Sequence, residues 1–133
     1  MFVFSTRLHA IIDYAFSFFL MLAPAIFGFG EADWETIVPI AAGMTICFYS
    51  FFTNYEGGLY LKFSMKTHYL FDLIIGTLIA SSPWVFGFRD IVYKPHLAIG
   101  IGFAFLAVVG LWPIVKLHKL RLHWPVADQI RFN

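Results

Sequence analysis

Shifted by 59 residues, the chain overlays on itself. Ser5 falls on Ser64, His9 on His68 and Asp13 on Asp72, while Pro24, Phe27, Gly28 and Phe29 fall on Pro83, Phe86, Gly87 and Phe88. Seven of the 25 positions from 5 to 29 are identical, and those seven are mostly polar, Pro or Gly. Chance similarity between two greasy helices would match Leu, Ile and Phe instead. The chain therefore reads as two copies of one unit, and its fold must be one that a duplicated unit can build.

Each copy holds two apolar segments, at about 7–27, 34–53, 67–87 and 95–115. Each is near the roughly 20 residues that carry a helix across a bilayer. The chain is 60% hydrophobic and 20% aromatic, with 17 Phe and only 13% charged residues, against roughly 25% charged in soluble domains. A soluble fold of 133 residues has too little interior to hide that much apolar surface, which makes lipid the solvent for it. The first segment contains Asp13 and has an internal copy, so it reads as part of the mature protein and not as a cleaved leader.

Seven basic residues (Arg7, Lys62, Lys66, Lys116, Lys119, Arg121 and Arg131) fall on one side of this arrangement and two, Arg89 and Lys94, on the other. The bias predicts cytoplasmic termini. The expected fold is an all-α membrane protein of four transmembrane helices in two tandem hairpins. Because each copy crosses twice, the copies enter from the same side and are related by a pseudo-twofold axis along the membrane normal. A single membrane domain then divides into repeat 1 at about 5–54, repeat 2 at about 64–113 and a cytoplasmic interfacial tail at 116–133, helix 4 ending near Trp112-Pro113. The linker 54–65 turns at Gly57-Gly58 and reads as an amphipathic stretch on the inner interface. Phe27, Phe29, Trp34, Trp84, Phe86, Phe88 and Tyr93 are expected in an aromatic belt at the outer interface. Gly43 and Gly102, which match at the 59 offset, are expected with Ala42 and Ala98 to let helices approach closely.

The second copy carries Ser82-Pro83-Trp84, where the first has Ala23-Pro24-Ala25. With the repeated His, Asp and Phe-Gly-Phe positions, this resembles the SPW-repeat family of small bacterial membrane proteins over about residues 5 to 113. The resemblance implies paired transmembrane helices in the bacterial cytoplasmic membrane, and no established activity. Pro83 removes a backbone hydrogen bond and kinks or ends its helix, and Ser81 or Ser82 can satisfy the carbonyl left free. Trp84 is read as a headgroup-level anchor.

His9 and Asp13, and again His68 and Asp72, stand four apart, so each His can reach its own Asp on one helix face. Ionisable groups in membrane helices are costly and turn inward, which predicts that the two pairs meet near the pseudo-axis. Three readings follow. The pairs neutralise one another and lock the repeats together; or they relay protons in a small transporter; or they hold a cofactor, His9 and His68 being haem ligands or ligands to a metal with Asp13 and Asp72, as in a haem- or quinone-binding redox subunit. His96, His118 and His123 are read as interfacial polar residues. Cys47 is the single cysteine, which excludes an internal disulfide and thiol–quinone chemistry that needs a cysteine pair. No nucleophile–base arrangement, phosphate loop or HExxH is recognisable, and the net charge of +1 gives nucleic acid no basic patch. The sequence reading is a scaffold or accessory subunit packing with lipid, itself or a larger membrane complex, without catalytic residues, an assigned metal or an assigned cofactor.

Overall fold

A computed structural model describes residues 5–30, 33–60 and 62–122, with side chains through Ile114 and at Lys116. The described residues form four α-helices: α1 (Thr6–Phe27), α2 (Trp34–Phe51), α3 (Met65–Val85) and α4 (Lys94–Leu122). The helices α1 and α2 pack as one hairpin and α3 and α4 as another, with a smaller α2–α3 contact joining them. Two stretches, Thr6–Phe27 and Lys94–Ile114, are long and apolar enough to cross a membrane.

The helix starts follow from local chemistry. Ser5 and Ser64 cap α1 and α3, their hydroxyls accepting from the amides of Leu8 and Thr67 at 3.2 Å. Gly28 and Gly87 follow with φ of 68° and 77°, the left-handed conformation that lets the chain leave each helix. Among the described residues the prolines end none of the helices. Pro24 and Pro83 are followed by a few more helical residues, and α4 runs through Pro113 to Leu122. This corrects the expected end of helix 4 near Trp112-Pro113 and moves its last residues out of the tail. One proline removes a single hydrogen bond, and the neighbouring bonds carry the helix past it. The rest of the tail, 123–133, with His123, lies outside the described residues, as does the side chain of His118.

Every buried residue of α1 (His9, Ala10, Asp13, Ser17, Leu20 and Ala23) has its counterpart 59 residues on among the buried residues of α3 (His68, Tyr69, Asp72, Gly76, Ile79 and Ser82). The second helices of the two hairpins do not obey that offset. The buried stripe of α4, His96, Gly100, Phe103 and Ala107, matches Pro39, Gly43, Ile46 and Ser50 of α2 at an offset of 57. Two residues turn a helix by about 200°, so the expected packing of Gly102 and Ala98 is corrected: both are exposed, and nothing lies within 4 Å of a Cβ built on Gly102. The close approaches are made by Gly43 against the Ser17 carbonyl in the first hairpin and by Gly76 against Gly100 in the second. Between the hairpins the core is Leu20, Ala42, Ile46, Tyr49, Ile79 and Phe103, and Phe16 of α1 stacks on Phe103 of α4 with centroids 4.4 Å apart.

The segment between α2 and α3 also departs from expectation. It forms a compact loop, held by the Asn54 amide on the Phe63 carbonyl and the Phe63 amide on the Phe52 carbonyl, each at 2.8 Å. Leu59 and Tyr60 face out, but Tyr55 is buried. Gly57 lies so close to Ala10 that an added Cβ would sit 2.8 Å from it, and the Tyr14 hydroxyl donates to the Gly57 carbonyl at 2.8 Å. The loop therefore folds onto α1 and closes the end of the bundle at which His9 and His68 lie.

Candidate functional site: a buried His–Asp quartet

His9, Asp13, His68 and Asp72 converge between α1 and α3, with one ligand-type atom from each lying within 4.8 Å of all the others. All four are buried, Asp13 and His68 completely. The shortest contacts run across the hairpins: His68 Nε2 to Asp13 Oδ2 is 2.9 Å and His9 Nε2 to Asp72 Oδ2 is 3.3 Å. The contacts within each helix are longer, 3.5 Å for His9–Asp13 and 3.4 Å for His68–Asp72. Each histidine thus engages both carboxylates.

Three hydroxyls from the first hairpin and the loop complete the cluster, and sequence reasoning missed them. Tyr49 donates to Asp72 Oδ1, and Tyr55 donates to Asp13 Oδ2 at 3.4 Å. Burial pushes the Tyr55 phenol well above the usual tyrosine range, which keeps it a donor. Thr53 Oγ1 lies 2.8 Å from both the Tyr49 carbonyl and His68 Nδ1. A hydroxyl has one proton, and a carbonyl can only accept. When Thr53 donates to Tyr49, it must accept from His68 Nδ1–H, which fixes that ring. Tyr69 instead covers His9, edge-on with centroids 4.7 Å apart. A signal for the hydroxyls was present: Tyr49, Ser50 and Thr53 put three hydroxyls at and just past the end of α2, where a lipid-facing turn needs none.

A haem does not fit these residues. Two axial histidines must point their Nε2 atoms at opposite faces of a porphyrin, whereas the His9 and His68 rings pack directly on each other with centroids 5.2 Å apart and both Nε2 atoms lie on aspartate oxygens.

At the other end of the bundle, His96 is buried instead of interfacial. Its Nε2 donates to the Glu35 carbonyl at 3.0 Å. That carbonyl is the one left without an amide by Pro39, four residues on. Phe29 stacks on the imidazole at 5.1 Å and Phe88 meets it edge-on at 4.9 Å. The second Phe of each Phe-Gly-Phe turn therefore clamps His96, which takes Phe88 out of the expected aromatic belt; Phe27, Trp34, Trp84 and Tyr93 are exposed.

Residues 7–119 match the SPW repeat domain. The chain belongs to the SPW-repeat family. No curated protein and no solved structure matches it. In this SPW-repeat protein the name motif has a definite local chemistry. Pro83 has no amide to give the Ile79 carbonyl, and the Ser82 hydroxyl bonds that same carbonyl at 2.7 Å. Both Ser82 and Pro83 are buried, while Trp84 points out. The first repeat has Ala23 in place of the serine, so it has no hydroxyl to offer the corresponding Leu20 carbonyl.

Proposed function

We propose that this SPW-repeat protein is a four-span integral protein of the bacterial cytoplasmic membrane, with both termini cytoplasmic, acting as a scaffold or accessory subunit through helix packing with itself or a larger membrane complex. The observation that carries this reading is the division of its surface. His9, Asp13, His68 and Asp72 are spent on one another in a buried cluster, while Leu22, Phe48, Phe105 and Trp112 stand exposed along the outside. Such an exterior suits lipid and partner helices, and the quartet ties the two hairpins together where the α2–α3 contact is small. Lipid is then the solvent for α2 and α3 as well as for the two more apolar helices.

Native mass spectrometry of the protein taken from its own membrane in mild detergent tests this. A particle of two or more 15.2 kDa chains, or one containing other polypeptides, supports it. A protein recovered in the soluble fraction, or a strictly monomeric one, overturns it.

A second reading has its own observation. With Thr53 holding His68 Nδ1–H, one proton remains to be placed between His68 Nε2 and Asp13 Oδ2, 2.9 Å apart. That is the geometry of a proton-handling pair, in a chain that would then be a small proton-conducting protein. If so, Asp72→Asn in proteoliposomes abolishes a pH-driven flux shown by the parent; a parent without flux ends this reading.

A further inference from the structure

We propose that His9 Nε2, Asp13 Oδ2, His68 Nε2 and Asp72 Oδ2 form a binding site for one divalent transition-metal cation of the zinc class. The first argument is metric. The four His–Asp separations are 2.9, 3.3, 3.4 and 3.5 Å. Four ligands at roughly 2.0–2.1 Å from a tetrahedral metal stand about 3.3–3.4 Å from one another. The four His–Asp edges have the length that such a site needs, and the whole set lies within 4.8 Å, so a central cation has only to draw the widest-set ligand atoms inward.

The second argument is a count of protons. Each Nε2 carries at most one hydrogen, yet each lies within 3.5 Å of both aspartate Oδ2 atoms. Four contacts cannot be served by two N–H bonds. The contacts converge on the two Oδ2 atoms, while Asp13 Oδ1 is buried with no hydrogen-bond partner. Such an orphan acceptor costs stability unless something else balances its charge. A dication between two carboxylates and two neutral imidazoles balances the site to zero, which a buried cluster favours.

The third argument is the surrounding shell. Metal-bound histidines usually give their other ring N–H to an oxygen, and metal-bound carboxylates are themselves hydrogen-bonded. His68 Nδ1 meets Thr53 Oγ1, and Asp72 Oδ1 receives the Tyr49 hydroxyl. Two imidazoles and two carboxylates suit zinc, and also cobalt(II), manganese(II) or iron(II). Magnesium and calcium favour all-oxygen shells. The site is independent of the scaffold reading and survives its failure.

The test uses the full-length untagged chain in mild detergent. Elemental analysis should find about one transition-metal ion per chain after purification without added metal. The chelator-stripped protein, shown folded by circular dichroism, should bind Zn²⁺ alone one-to-one by calorimetry. Asp13→Asn and Asp72→Asn should abolish that binding, and Tyr49→Phe should weaken it by about 10–100-fold. Cobalt(II) added to the stripped parent should give the intense visible absorption of a tetrahedral site, a measurement that needs no variant. A folded parent that purifies without metal and takes up neither Zn²⁺ nor Co²⁺ overturns the proposal, as does binding that persists in both aspartate variants.

Discussion

Replacing single glycines by alanine separates the register of α4 found in the structure from the one the 59-residue repeat implies. A Cβ added at Gly100 would lie 2.3 Å from the Ala80 amide nitrogen and 2.6 Å from the Gly76 carbonyl oxygen, both backbone atoms. Ordinary contact begins near 3.4 Å, so α3 and α4 must part by about 1 Å. Overpacking of this kind costs about 1–3 kcal/mol, and the better helix propensity of Ala returns up to about 1 kcal/mol. The net loss is about 1–2 kcal/mol, or roughly 4–8 °C in Tm at a few degrees per kcal/mol. Gly102→Ala meets nothing within 4 Å and keeps only the propensity gain, so its Tm should be unchanged or slightly raised. Thermal unfolding in one detergent, followed by circular dichroism, reads both variants. A loss in Gly102→Ala equal to that in Gly100→Ala would refute the two-residue slip and the packing built on it.

Other substitutions probe the polar contacts singly. Ser82→Ala leaves the buried Ile79 carbonyl without its hydroxyl donor, and a Tm loss corresponding to about 1–3 kcal/mol is expected; Ser81→Ala, at an exposed hydrogen bond of 3.3 Å, should be near neutral. His96→Phe keeps the aromatic stack with Phe29 but strands the Glu35 carbonyl, at a similar cost in the same assay. Thr53→Val preserves shape while removing the partner of His68 Nδ1. It should cost about 1–3 kcal/mol and alter the His68 ring signals in NMR spectra, whereas a purely steric role would leave those signals in place.

The part of the fold that could be read from the sequence was the part preserved by identity. His9, Asp13, His68 and Asp72 recur at one spacing in apolar surroundings, and burial in an apolar medium forces such groups inward. The corresponding faces of α1 and α3 follow from that. The second helix of each repeat carries no repeated polar residue to pin its rotation, and small residues occur on several faces. Gly43 and Gly102 align in sequence and part company in space for this reason. Tyr49 and Thr53 left a trace in their run of hydroxyls, whereas Tyr55 was hidden: an aromatic-rich chain offers many tyrosines, and only the inward turn of the loop distinguishes Tyr55 from Tyr60. His96 was illegible because its partner is a carbonyl freed by Pro39 on another helix, a vacancy that no side-chain pattern announces.

The two histidines arise from one ancestral position but live in different surroundings. His68 is sealed, with Thr53 on one ring nitrogen and Asp13 on the other. His9 lies under the ring of Tyr69, a residue that stands where the first repeat has Ala10 and that rests on Gly110, where no side chain stands in its way. His9 also keeps a little exposure that His68 lacks. The two copies have thus diverged, one histidine being held at both ring nitrogens and the other at the edge of the cluster under a tyrosine. The centre is therefore asymmetric, closed around His68 and less fully covered at His9, a difference that its symmetric ancestry would not supply.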